Sequence, residues 1–173
     1  MLIPKILSLI ILLLLFIQDA KSREVHWLLF PLLVIVFMWM RIVSDEFSIT
    51  YFGEVLENNI FLALQGILLS CYFSLKNRRW TNITNGLLGP GDVLFLVSVT
   101  FCFPLLSYIV FYVVSLCVVM LIWLLWQALQ GEKDRKIPLA GLQALLLAFF
   151  LMAAWWICPL NLTNDDWIVR IIY

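Results

Sequence analysis

The sequence predicts an all-α fold, a polytopic membrane bundle of about six transmembrane helices. Hydrophobic residues make up 64% of the 173 residues, and charged residues make up only 13%. Apolar runs long enough to cross a bilayer recur along the whole chain. These runs leave no room for a separate soluble domain, so residues 1–173 are predicted to form a single domain. The formal net charge is zero, which gives no indication of a nucleic acid partner.

The first three helices are predicted at about residues 2–18, 27–43 and 55–75. The first is expected to be retained as a span, because no small-x-small cleavage pattern follows its apolar core. The third is less apolar than the others. It contains Asn58, Asn59 and Gln65, which we expect to form hydrogen bonds between helices.

The next apolar stretch, residues 93–127, is too long for one crossing. As a helix it would extend about 52 Å, whereas the hydrocarbon core is about 30 Å thick. Pro104 interrupts helical hydrogen bonding, which predicts a break between a short fourth helix at 93–103 and a fifth at 106–127. A sixth helix is predicted at 138–157, followed by a polar tail.

Basic residues predict the orientation of the bundle. Eight of the eleven lysines and arginines fall in the loops after helices one, three and five. Because positive loops stay in the cytoplasm, we expect the N-terminus outside and these loops inside. The eight residues are Lys21, Arg23, Lys76, Arg78, Arg79, Lys133, Arg135 and Lys136.

Two aspartates lie at the ends of apolar runs, and both fall on the predicted cytoplasmic side. Asp19 closes the first run, and Asp92 follows Gly89, Pro90 and Gly91 at the start of the fourth. An ionisable group at a membrane border is costly, which favours a functional role. The Gly-Pro-Gly residues are expected to precede the helix and to leave space for another backbone beside Asp92, such as an extended substrate.

Two simpler interpretations remain open for these aspartates. In the first interpretation, Asp92 is the N-cap of the fourth helix, since aspartate is a preferred cap. Asp19 followed by a basic segment is also typical of a solvated loop after a helix.

Three segments, in order along the chain, resemble the motifs of type IV prepilin peptidases. Residues 19–28 (DAKSREVHWL) are similar to the first catalytic segment of that family, and residues 89–92 (GPGD) match its Gly-x-Gly-Asp motif. Residues 136–141 (KIPLAG) resemble the Ile-Pro-Phe-Gly-Pro segment that opens the last span. The resemblance is to the short, protease-only branch.

The resemblance implies an intramembrane aspartic endopeptidase of the bacterial inner membrane, with its active site facing the cytoplasm. Asp19 and Asp92 would form the catalytic dyad, and Gly89, Pro90 and Gly91 would position the substrate backbone. The substrates would be pilin-like precursors, cleaved at the membrane border. The mechanism uses water and needs neither a metal nor an organic cofactor.

Several residues depart from the family pattern. Leu94 stands where a lysine is usual, and His26 stands where a proline is expected. In the third motif, Leu139, Ala140 and Gly141 replace Phe, Gly and Pro. Two alternatives therefore accompany the peptidase hypothesis: an inactive relative acting as a membrane scaffold or assembly factor, and a proton-coupled component of a small transporter.

Overall fold

The computed structural model describes residues 2–22, 25–77, 89–130, 139–157, 162, 165, 167 and 168. Within these residues the chain is all-helical, which confirms the predicted fold class. The six helices are α1 (Leu2–Ser22), α2 (Leu29–Val43), α3 (Ile49–Asn77), α4 (Pro90–Val99), α5 (Leu105–Gln130) and α6 (Leu139–Met152), the last continued by a π-helical turn (Ala153–Ile157).

Four of the six helices are long and apolar enough to cross a membrane. They are α1, α3, α5 and α6 together with its π-helical turn, which makes this a multi-pass membrane protein. Helix α2 has 15 residues and α4 has 10. These lengths correspond to about 22 Å and 15 Å, less than the thickness of a hydrocarbon core. A crossing at α2 or α4 therefore has to include residues that flank the helix.

The centre of the bundle is the contact between α1 and α6. The buried residues of α1 include Ser8, Ile11, Leu15 and Asp19, a spacing of three to four residues that places them on one face. On α6 the facing positions are occupied by small residues, among them Ala140, Ala144 and Ala148. Small side chains at every fourth position let two membrane helices approach closely. This close approach brings the backbone of α6 against α1.

Helices α2 and α4 complete this central layer. The core positions of α2 include Phe30 and Leu33, and those of α4 include Phe95 and Val99. Helix α4 ends at Val99 and α5 begins after Pro104, so the predicted break at this proline is confirmed.

Helix α3 is attached to this break by asparagines. The buried Asn58 side chain donates through Nδ2 to the carbonyl oxygens of Thr100 and Phe103, at 3.1 and 2.8 Å. Asn59 donates to the Thr100 hydroxyl at 3.1 Å. Both asparagines therefore bond between helices, as predicted, whereas the Gln65 side chain forms no such bond within the described residues. Asn58 satisfies carbonyls that the interrupted helix leaves without an intrahelical partner.

Opposite charges pair at the far end of α2. Arg41 is buried, and its guanidinium lies 3.5 Å from the Glu46 carboxylate and 3.9 Å from that of Glu54. The Tyr51 ring lies 5.2 Å from the same guanidinium. Most residues of the predicted basic loops, namely Arg23, Arg78, Arg79, Lys133, Arg135 and Lys136, lie outside the described residues, as do Ile137 and Pro138 of the third motif.

Candidate active site

Asp92 lies in the first turn of α4, whose start differs from the prediction. Gly89 is the N-cap, with extended backbone, and Pro90 is the first helical residue. The expectation that all three Gly-Pro-Gly residues precede the helix is therefore wrong. Proline fits the first helical position because its missing N–H would have no partner there. The alternative that Asp92 is itself the N-cap is wrong for the same reason.

The Asp92 carboxylate instead caps the first turn of α4 from the third helical position. Its Oδ2 accepts a hydrogen bond from the Gly89 backbone N–H at 2.9 Å. This is the half of a capping box in which an acidic side chain reaches back to the N-cap amide. The second oxygen, Oδ1, accepts a hydrogen bond from the Ala140 N–H of α6 at 2.8 Å. A second backbone thus does lie against Asp92, and it belongs to α6.

Asp19 lies within α1, near its C-terminal end, and only 8% of it is exposed. Its Oδ2 accepts a hydrogen bond from the Gly141 backbone N–H at 2.6 Å. The interpretation of Asp19 as part of a solvated loop is therefore wrong. Helix α1 continues past this residue, and the close contact with α6 covers it.

The two aspartates converge on one turn of one helix. Their donors, Ala140 and Gly141, are consecutive residues, so the Cα atoms of the donors are only about 3.8 Å apart. Both amides belong to the first turn of α6, where backbone N–H groups have no intrahelical acceptor. The N-terminal end of a helix also carries a partial positive charge that favours anions. Helix α6 therefore gathers two carboxylates that are far apart in the sequence.

The surroundings of Asp92, which lies outside the four helices that can cross the membrane, shift the pKa of its carboxyl upward. Burial raises the pKa of the Asp92 carboxyl above its ordinary value, the amides of Gly89 and Ala140 lower it, and the nearby charge of Asp19 raises it. The net direction is upward. Two neighbouring carboxylates cannot both ionise cheaply, so they tend to share a proton.

The glycines around the site have different roles. A Cβ on Gly89 would lie 3.2 Å from the Asp92 Oδ2, whereas a Cβ on Gly91 would make an ordinary 3.9 Å contact with the Phe30 ring. Gly141 is the tightest position, since a Cβ there would lie 2.8 Å from Oδ2 and 2.9 Å from Cβ of Asp19. The backbone contacts of Ala140 and Gly141 were not predicted. Their signal in the sequence was the third motif, which indicated a helix start but no contact.

Two departures from the family pattern can also be placed. Leu94, at the position of the usual lysine, is 43% exposed. The backbone N–H of His26 donates to the Gln18 side chain at 2.9 Å, which fixes the connection between α1 and α2. Among the described residues, His, Cys, Asp and Glu side chains form no group of three or more that could hold a metal ion.

Comparison of the chain with family models, with curated proteins and with solved structures finds no match.

Proposed function

We propose that this protein is an intramembrane aspartic endopeptidase that removes the leader of pilin-like precursors. The observation that supports the proposal is the convergence of Asp19 and Asp92 on the consecutive amides of Ala140 and Gly141. An acid–base mechanism requires two carboxyl groups in one place, with one protonated and one ionised. The raised pKa of Asp92 favours that division of protons.

In the proposed reaction the ionised carboxylate of the dyad takes a proton from a water molecule. The water oxygen attacks the carbonyl carbon of the scissile peptide, while the protonated carboxyl donates to the carbonyl oxygen. Collapse of the tetrahedral intermediate breaks the C–N bond, and the leaving amine receives a proton from the dyad. The α6 amides hold the carboxylates in place throughout, which lowers the cost of arranging them.

We further propose that the site faces the cytoplasm of a bacterial inner membrane, with the N-terminus outside. The support is the distribution of lysine and arginine in the sequence, which is concentrated after α1, α3 and α5. A pilin-like precursor would present its cleavage site at this border, with its apolar segment in the bilayer. Gly89, Pro90 and Gly91, which form the start of α4, would lie beside the substrate backbone.

The test is cleavage of a pilin-like precursor by the purified full chain in detergent. Asp19→Asn and Asp92→Asn should each lower the rate by about 10²–10⁴-fold or more, since each removes one acid–base partner. Asp45→Asn is the matched control. It makes the same chemical change at an exposed residue whose positive φ of 56° asparagine also tolerates. Normal processing by either dyad variant would exclude this mechanism.

The second candidate is an inactive relative that serves as a membrane scaffold or assembly factor. It is favoured by the same hydrogen bonds, because a carboxylate that satisfies an orphan amide already has a structural role. Leu94 at the position of the family's lysine also favours it. A wild-type protein that cleaves no precursor and co-purifies with a secretion machine would support the scaffold over the peptidase.

A further inference from the structure

The approach of α6 to Asp19 depends on the absence of a side chain at residue 141. The Gly141 N–H donates to the Asp19 Oδ2 at 2.6 Å. A Cβ at this position would meet three atoms of Asp19, namely Oδ2 at 2.8 Å, Cβ at 2.9 Å and Cγ at 3.3 Å. The Cβ of Asp19 is fixed to the α1 backbone, so rotation of the side chain does not relieve that contact. Any larger residue therefore requires α1 or α6 to move.

We propose that Gly141 is a positioning residue, which holds Asp19 beside the Ala140 amide and so sets the separation of the two carboxylates. The proposal rests on the proposed function, because the reaction needs both carboxyl groups around one water molecule. It also accounts for a departure from the family pattern. The motif that residues 136–141 resemble has proline at the position of Gly141, and proline has no N–H to donate. In this chain the glycine supplies a hydrogen bond that proline cannot make.

Loss of the hydrogen bond between the Gly141 N–H and the Asp19 carboxylate should slow the chemical step. When α6 shifts away from α1, the dyad loses its geometry and the ionised form of the dyad loses a donor. Misplacement of a catalytic group by about 1 Å can cost about 10²-fold in rate. We therefore expect Gly141→Ala to lower kcat by about 10²-fold, with KM little changed. The acidic limb of the pH–rate profile should move to higher pH, because a hydrogen bond to a carboxylate favours its ionised form.

The matched control is Gly66→Ala in α3. A Cβ on Gly66 has no heavy atom within 4 Å, so this variant tests the same substitution in open space. It should retain the wild-type kcat and pH–rate profile. Rates are expressed per folded molecule, with the folded fraction measured by circular dichroism and thermal unfolding in detergent. A Gly141→Ala enzyme that matches Gly66→Ala in kcat and in pH profile would overturn the proposal.

A stability cycle tests the contact without any cleavage assay. Asp19→Gly removes all three atoms that a Cβ on residue 141 would meet, including the Cβ of residue 19. Gly141→Ala should therefore lower the thermal midpoint clearly in the wild-type background and much less in the Asp19→Gly background. If Gly141→Ala alone does not fold, the double variant should recover folding. Equal losses in both backgrounds, or no recovery, would overturn the contact. A wild-type protein without activity would instead refute the proposed function and leave this cycle unaffected.

Discussion

The first turns of helices α5 and α6 both donate backbone amides to carboxylates, but the number of carboxylates that accept them differs. The first turn of α5 is capped by one carboxylate, that of Asp165. It accepts hydrogen bonds from the Leu106 N–H at 3.2 Å, the Ser107 N–H at 2.9 Å and the Ser107 hydroxyl at 2.6 Å. The first turn of α6 offers the two equivalent amides, those of Ala140 and Gly141. There, two carboxylates from two different helices accept them.

The number of carboxylates at each helix start shows how many are needed for capping alone. Asp165 demonstrates that one carboxylate satisfies both amides of a first turn in this fold. A second carboxylate at α6 adds like-charge repulsion and the desolvation of another ionisable group, both of which are costly. Asp92 also caps the first turn of α4 through the Gly89 N–H, so each aspartate has a structural role of its own. What capping leaves unexplained is that both carboxylates meet at one helix start, and the peptidase proposal accounts for that meeting.

The largest effect on stability is expected at α5. Asp165→Ala removes the acceptor for both first-turn amides, and loss of such a cap costs about 1–2 kcal/mol. Thermal unfolding in detergent should show the loss, and Asp165→Asn, which keeps one oxygen acceptor, should show a smaller one. Cleavage per folded molecule should equal that of the wild type in both variants. A loss of cleavage greater than the loss of folded protein would mean that Asp165 also serves the reaction.

The same comparison shows what the sequence could predict. Asp19 and Asp92 were found because an acidic residue beside an apolar run is conspicuous, and Asn58 because an amide within a membrane helix needs a partner. The contribution of Gly141 could not be predicted, since a backbone N–H leaves no signature in the sequence. Asp165 was assigned only to a polar tail. Nothing local to it indicates a contact with the first turn of α5, where Ser107 lies 58 residues away along the chain.

Helix boundaries were less predictable than the helices themselves. The apolar run begins at Val93, but α4 begins at Pro90. The first turn of a helix needs a cap but does not require apolar residues. The hydrophobic pattern therefore starts later than the helix does. Helix α3 likewise begins at Ile49, although residue 55 was predicted. Glu54 lies in this first part of α3, where its carboxylate pairs with Arg41.

The smallest expected effect is the pH dependence of stability that Asp92 contributes, because opposing influences partly cancel at this carboxyl. Burial and the charge of Asp19 raise its pKa, while the amides of Gly89 and Ala140 lower it, with a net upward direction. A group whose pKa is higher in the folded state contributes stability that is fully present below the unfolded value of about 4 and is lost as the pH rises through the folded value. Asn at position 92 does not titrate.

The test compares the thermal midpoints of the wild type and of Asp92→Asn, measured from about pH 4 upward. The difference between the two midpoints should change with pH in one direction. The wild type should lose stability relative to the variant as the pH rises, until Asp92 is ionised in the folded protein and the difference becomes constant. A wild type that gained stability over this range would mean that the amides of Gly89 and Ala140 prevail and that the fold prefers Asp92 as a carboxylate. Asp92 would then resemble Asp165, a charged cap, and the α6 site would lose the property that distinguishes it from the start of α5.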